Sequence, residues 1–287
     1  NAFGINDGLV VLDHMQGFAS GDLNISETAT AICREANKIV ESTGAAVVLA
    51  AGLGTRMKSA KPKVMHEVGG RALVMHLLTT LEGIGVARTV VVIGPGMGGG
   101  FPVQQLVLRV ASSAAVPVVI DADGLNALAA SPAFALEMRA PIAITPHPGE
   151  FRRLAESLGL DLDPIDPVTR TRAAAGLAAR LGCVVVLKGA RTVVSDGLRA
   201  WTCDAIEPAL ATGGSGDALG GVLAGLAAQF VRPDAVTPLP LFDAACLAVQ
   251  LHADSAARWA AAHGHAGMLA QEIADRKSTR LNSSHRT

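Results

Sequence analysis

Short apolar runs recur along this chain, each parted from the next by a stretch long enough for a helix. They are "GLVVLD" at 8–13, "AAVVLA" at 45–50, "RTVVVI" at 88–93, "PVVID" at 117–121, "IAIT" at 142–145 and "CVVVL" at 183–187. Within each run the apolar residues are consecutive rather than alternating, so such strands need cover on both faces. Strands buried on both faces and linked by helices form a parallel sheet. The pattern therefore predicts a three-layer αβα fold around a mostly parallel sheet. Helices are expected at 26–42, 71–85, 103–113, 148–158, 168–181, 215–229, 241–262 and 266–275, with a hairpin at 192–195 and 199–203 turning on Asp196-Gly197. In such folds ligands gather at the carboxyl ends of the strands, so residues just after each run are the first candidates for function.

Composition narrows the partners. Half of the 287 residues are hydrophobic and 17% are charged, enough to bury a large core. The net charge of −1 gives no electrostatic ground for binding nucleic acid or an anionic membrane. Cys33, Cys183, Cys203 and Cys246 form no close pair and have no metal-ligand spacing. No disulfide framework or secretory leader is expected, and a cytoplasmic setting fits best. The apolar run near 208–229 carries Asp217 and several glycines, so it is not read as a membrane span. The polar, basic end 276–287, "RKSTRLNSSHRT", is expected to be a disordered tail, or a scar of cloning or sequencing adapters.

The candidate residues follow strands in order. "IGPGMGGG" at 93–100 places Gly96 and Gly98 in a glycine loop, which alone suits a turn as well as a ligand. "VVIDADGLNAL" at 118–128 ends a strand with Asp121 and Asp123, one of which could be a helix cap. "ITPHPGEF" at 144–151 sets His147 and Glu150 in a proline-stiffened turn, where a structural histidine is the simpler alternative. "VLKGARTVV" at 186–194 ends a strand with Lys188, placed to meet a phosphate or ribose. "ATGGSGD" at 211–217 then opens an apolar helix. Gly213, Gly214 and Gly216 let backbone amides approach an anion closely. A carboxylate there should repel phosphate, so Asp217 reads as a base for the group that attacks the phosphate.

Together these motifs resemble the ADP-dependent NAD(P)H-hydrate dehydratase family, of ribokinase-like fold, over residues 94–275. The resemblance rests on "GPGMG", "DADGLNAL", "TPHPGEF", "LKGART" and "ATGGSGD". It implies an enzyme, a lyase, that repairs hydrated NADH or NADPH. A nucleotide phosphorylates the ring hydroxyl and loss of phosphate restores the cofactor. It further implies that Asp217 is the base, and that His147 and the loop at Gly96 and Gly98 contact the hydrated dinucleotide. Lys188, Gly189, Ala190, Arg191, Thr192, Gly213, Gly214, Ser215 and Gly216 would hold ADP or ATP. Glu150 would act through Mg2+. The partners implied are small molecules, with self-association left open.

Two other resemblances divide the first third. Residues 45–93, with "VVLAAGLGTRMKSAKPKVM", are similar to the start of an N-acetylglucosamine-1-phosphate uridyltransferase. There Leu49 to Arg56 would wrap nucleotide phosphates, with Lys61 and Lys63 nearby. Residues 1–44 are similar to a RecA-like ATPase fragment ending a strand at Asp13, although no G-x-x-x-x-G-K-[ST] loop occurs. The expectation is a chimera of three pieces. Its rivals to an active dehydratase are a nucleotidyltransferase fragment, a vitamin-precursor kinase, and an inactive chain that at most binds adenine nucleotide.

Overall fold

A computed structural model describes residues 46–50, 64, 66–83, 86, 89–114, 116–131, 134, 138, 141–231 and 238–273. Its frame is a seven-stranded sheet. The strands in spatial order are β1 (Ala46–Ala50), β4 (Thr89–Ile93), β5 (Val118–Ile120), β6 (Ile142–Ile144), β7 (Val184–Leu187), β8 (Val193–Ser195) and β9 (Ala200–Thr202). The first five pair in parallel, and β8 and β9 add an antiparallel edge. A separate two-stranded ribbon, β2 (Glu67–Val68) and β3 (Arg71–Ala72), turns on Gly69 and Gly70. The sequence pattern did not announce it.

The sheet divides its side chains by strict alternation. Val91, Ile93, Val118, Ile120, Ile142, Ile144, Val185 and Leu187 enter one core. That core is closed by α1 (Leu73–Gly83), α2 (Phe101–Ser113), α3 (Asp123–Ala129), α4 (Pro148–Ser157) and α5 (Arg170–Leu181). Val90, Val92, Val119, Ala143, Val184 and Val186 enter the other, under α6 (Ser215–Phe230) and α7 (Leu241–His263). This sidedness follows from handedness. Strands laid down in order across a sheet by right-handed crossovers put their helices on one face, and the chain's last helices must cover the other. The result is the expected three-layer αβα fold.

Most expected elements stand within a residue or two. The helix α3 was not foreseen, because "DADGLNAL" reads as a strand end. Of the helix expected at 266–275, the described part is helical at 270–273. The strand at 8–13, with Asp13, and the helix at 26–42 lie outside the described residues, as do Arg56, Lys61, Lys63 and the tail. Among the described residues no helix is long and apolar enough to cross a membrane, and Cys183, Cys203 and Cys246 are free.

Candidate active site

Alternation along the strands aims the residues just past β5 and β7 toward the α6 layer. Asp121 follows β5 and is 2% exposed, and Lys188 follows β7. The Lys188 ammonium crosses β6 and donates to Asp121 Oδ1 at 2.7 Å, with Glu150 Oε2 at 3.9 Å. A buried carboxylate needs such a partner, because burying a bare charge costs several kcal/mol, on the order of the penalty for any unpaired buried ion. Neighbouring strand ends are also tied through backbone. The amides of Asp121, Thr145 and Lys188 donate to the carbonyls of Ile93, Ile120 and Pro146.

The head of α6 closes over this pair. A methyl built on Gly216 would stand 3.4 Å from Lys188 Nζ and 3.7 Å from Asp121 Oδ2. Lys188 and the 213–216 loop, distant in sequence, therefore face one cleft. The loop turns through Gly214 at φ +82°, and α6 has no side-chain cap. The amides of Ser215 and Ala218 donate to Thr212 O and Gly214 O. That leaves Gly216 and Asp217 with the helix's open amides, pointing where the macrodipole is positive. Gly216 itself is not at positive φ, so its small size serves close approach rather than an unusual backbone. Ser215 is turned away from the cleft. Its hydroxyl lies 3.2 Å from His252 Nε2, and that nitrogen donates to the Ser215 carbonyl at 3.0 Å. The Ser215 hydroxyl, amide and carbonyl are thus all engaged within the protein.

Asp217 stands in the first turn of α6 with much of its side chain toward solvent. Partial desolvation against the cleft wall nevertheless raises its carboxyl above the ordinary value. The negative charge of Asp121 adds to that rise, and Lys188 opposes it. A carboxylate with raised affinity for protons, beside open amides and an ammonium, can take a proton from a group approaching a bound phosphate.

The glycine loop after β4 is held from the start of α3. The Gly98 amide donates to Asp123 Oδ2 at 2.7 Å, and Met97, fully buried, anchors the loop from below. Asp123 therefore supports the loop. Gly96 and Gly98 both take positive φ, at +63° and +69°. Between the two carboxylates Ala122 also takes positive φ, 48°, which no residue type in that position advertises. His147 caps α4. Its Nδ1 accepts from the amides of Gly149 and Glu150, while Glu150 Oε2 accepts from the His147 amide at 2.8 Å. Accepting at Nδ1 places the ring proton on Nε2, which lies 3.4 Å from Glu150 Oε1. Past Lys188, Gly189 lies at φ +142°, the exposed Ala190 and Arg191 (φ +56°) complete the turn, and the Thr192 hydroxyl donates to Gly189 O.

The scan against protein families matches residues 39–279 to the carbohydrate-kinase-like family described as NAD(P)H-hydrate dehydratase. The chain belongs to that family. The match runs unbroken through 45–93, and β1 there joins the same sheet. The uridyltransferase-like piece, the RecA-like piece and the chimeric joints accordingly find no support. The bifunctional NAD(P)H-hydrate repair enzyme of Gloeobacter violaceus is 40% identical over 199 residues, 69% of this chain and 36% of that protein. Its counterpart in Vibrio cholerae is 40% identical over 181 residues, 63% of this chain and 33% of that protein. The chain thus spans about a third of the length of these curated relatives. Among solved structures, the ADP/ATP-dependent NAD(P)H-hydrate dehydratase of Bacillus subtilis, co-crystallised with ATP and Mg2+, superposes with TM-score 0.55 at 30% identity. The superposition covers 68% of this chain and 64% of that one. A ribokinase-like superfamily protein from Enterococcus faecalis, 23% identical, superposes over 92% of this chain and 86% of its own with TM-score 0.61, which shows the shared fold.

Proposed function

We propose that this chain catalyses nucleotide-dependent dehydration of hydrated NADH or NADPH, with Asp217 as general base. The observation that carries this is the open amides of Gly216 and Asp217 set beside the Lys188 ammonium, with a proton-seeking carboxylate at the same helix start. The Bacillus subtilis dehydratase, co-crystallised with ATP and Mg2+, acts in its own right; the family membership and the site's chemistry bring the activity here.

In this reading the terminal phosphate of ADP or ATP lies against the α6 amides and Lys188, with Lys188 to Thr192 and Gly213 to Gly216 along the nucleotide. Asp217 takes the proton of the ring hydroxyl as its oxygen attacks phosphorus, and the shortened nucleotide leaves. The new phosphate ester then leaves the ring as inorganic phosphate with its C–O bond pair, and loss of a proton from the adjacent ring carbon to solvent restores the ring double bond. Hydrated NADH and ADP thereby give NADH, AMP and phosphate. His147 Nε2 and the Gly96–Gly98 loop face the hydrated dinucleotide, and the cytoplasm, where such cofactors are abundant, is the proposed setting.

A resident metal ion does not fit the side chains present. Among the described residues there is no group of three or more His, Cys, Asp or Glu that could hold one. Asp121 is engaged by Lys188, and Glu150 by the His147 amide. Mg2+ would come with the nucleotide, on phosphate oxygens and water, and Glu150 would meet it through water.

The test is recovery of NADH absorbance from its hydrate with ADP, ATP or neither. Absence of turnover with either nucleotide, in protein shown to be folded, would refute the assignment. A second expected result concerns Gly216→Val. A branched side chain there would enter the 3.4 Å space beside Lys188 Nζ, so ADP and ATP should bind more weakly by about 10-fold or more. Titration calorimetry of the variant checks it, and unchanged affinity would remove the α6 start from the nucleotide site.

A further inference from the structure

Arg170 is the first residue of α5 and is 8% exposed. Its guanidinium makes three hydrogen bonds, all to backbone. Nη1 donates to Pro164 O at 2.7 Å, and Nη2 donates to Leu187 O at 2.9 Å and Lys188 O at 2.8 Å. One fork therefore ties two consecutive carbonyls at the end of β7 to the loop that leads into α5. Gly189 passes flat over it. At φ +142° a methyl on Gly189 would stand 2.9 Å from Nη2, so a side chain there would be strained and would crowd the guanidinium. The Thr192 hydroxyl, donating to Gly189 O, closes the same turn.

This cation has no carboxylate partner among the described residues, and Nε is buried without an acceptor. Burial alone acts on its pKa, lowering it, yet a guanidinium stays charged. A neutral donor could tie carbonyls without the cost of burying an unpaired charge. What the charge adds is positive potential directly beneath the turn at Lys188 to Thr192, in a medium that screens it poorly.

We propose that Arg170 is a positioning residue for the nucleotide: it fixes the Leu187–Gly189 backbone so that Lys188 and the following turn meet the phosphates, and its unpaired charge favours their anionic chain. The proposal rests on the nucleotide reading of Lys188 to Thr192. A lysine cannot replace the fork, since a single ammonium does not span the three carbonyls in one plane.

The experiment compares Arg170→Lys and Arg170→Met with the unmutated chain and Gly216→Val. It reads the melting temperature without ligand, ADP and ATP affinity, and steady-state dehydration. Arg170→Lys keeps the charge and should raise Kd and KM for ADP and ATP about 10-fold, the loss expected for charged hydrogen bonds. Arg170→Met should weaken nucleotide further. In both, kcat at saturating nucleotide and KM for hydrated NADH should stay within about twofold, since neither depends on the tie. If Gly216→Val weakens nucleotide binding and Arg170→Lys does not, the positioning role is overturned. It is also overturned if the Arg170 variants lose kcat, both KM values and melting temperature together, which marks a purely structural tie. If the unmutated chain binds no ADP or ATP, the nucleotide reading fails and this proposal falls with it.

Discussion

Asp217→Asn is expected to lower dehydration turnover by about 10²–10⁴-fold, the usual cost of losing a general base. Nucleotide affinity should change little, because asparagine keeps the α6 backbone and its open amides. The same variant has a stability signature of opposite sign. Asp217 binds its proton more tightly in the folded protein than in the unfolded chain. Ionisation above the unfolded value, about 3.9, therefore costs the folded state stability, and the cost is fully present once pH exceeds the raised folded value. Asparagine removes that cost, so the variant should melt higher than the parent at pH 7. The difference should fade as pH falls below about 4, where aspartate is protonated in both states. Activity of the unmutated chain should in turn rise with pH through the raised value, as the base becomes ionised. Kinetics and melting curves from pH 4 to 8 test both halves. A variant with unaltered turnover ends the base assignment, and a lower melting temperature at pH 7 ends the electrostatic account.

What was legible in the sequence was what periodicity and strand order control. Consecutive apolar residues in β4 to β7 announced a sheet covered on both faces, and the sites after those strands converge as parallel topology requires. The pairing of Asp121 with Lys188 was not legible. The two stand 67 positions apart, and only the register of β5, β6 and β7 brings them within 2.7 Å. The role of Asp123 was hidden for a similar reason, since its partner is the Gly98 amide on another strand end. Arg170 carried no signal at all, because an arginine at a helix start usually reads as solvated. One signal was available and passed over. "HPGE" places a side-chain acceptor three residues before a glutamate, which is the spacing of a reciprocal helix cap, and His147 and Glu150 form that cap. The first third misled for another reason. A glycine loop after a strand is shared by many nucleotide-binding folds, so "VVLAAGLGTR" resembles a second family, a resemblance that finds no support beside the family match over 39–279.

The glycine loop at 94–100 shows how much a short motif can conceal. Gly96 and Gly98 are the expected ligand contacts, yet among the described glycines it is Gly94 where an added methyl would meet the closest atom. Its φ is +126°, and a methyl there would lie 1.8 Å from Asp121 O and 2.8 Å from the Gly124 amide. Those atoms are backbone, held in place by the Asp121 amide on Ile93 O and the Gly124 amide on Asp121 O. No rotamer can relieve the clash, so the end of β5 must part from β4. Gly94→Ala should therefore cost about 3–5 kcal/mol, combining overpacking with a disallowed backbone conformation. Gly99→Ala is the control, with nothing within 4 Å of the added methyl and no positive φ, and should fall within about 0.5 kcal/mol of the parent. Urea unfolding of the three proteins measures both. A Gly94→Ala protein within about 1 kcal/mol of the parent would mean that the strand ends are not packed this tightly. The consequence reaches the chemistry, because the Asp121 backbone that Gly94 touches carries the carboxylate that holds Lys188. Any population of Gly94→Ala that folds by moving β5 aside should also bind nucleotide more weakly. The close approach of two backbones at Gly94 thus fixes the Asp121 backbone from which the carboxylate reaches Lys188.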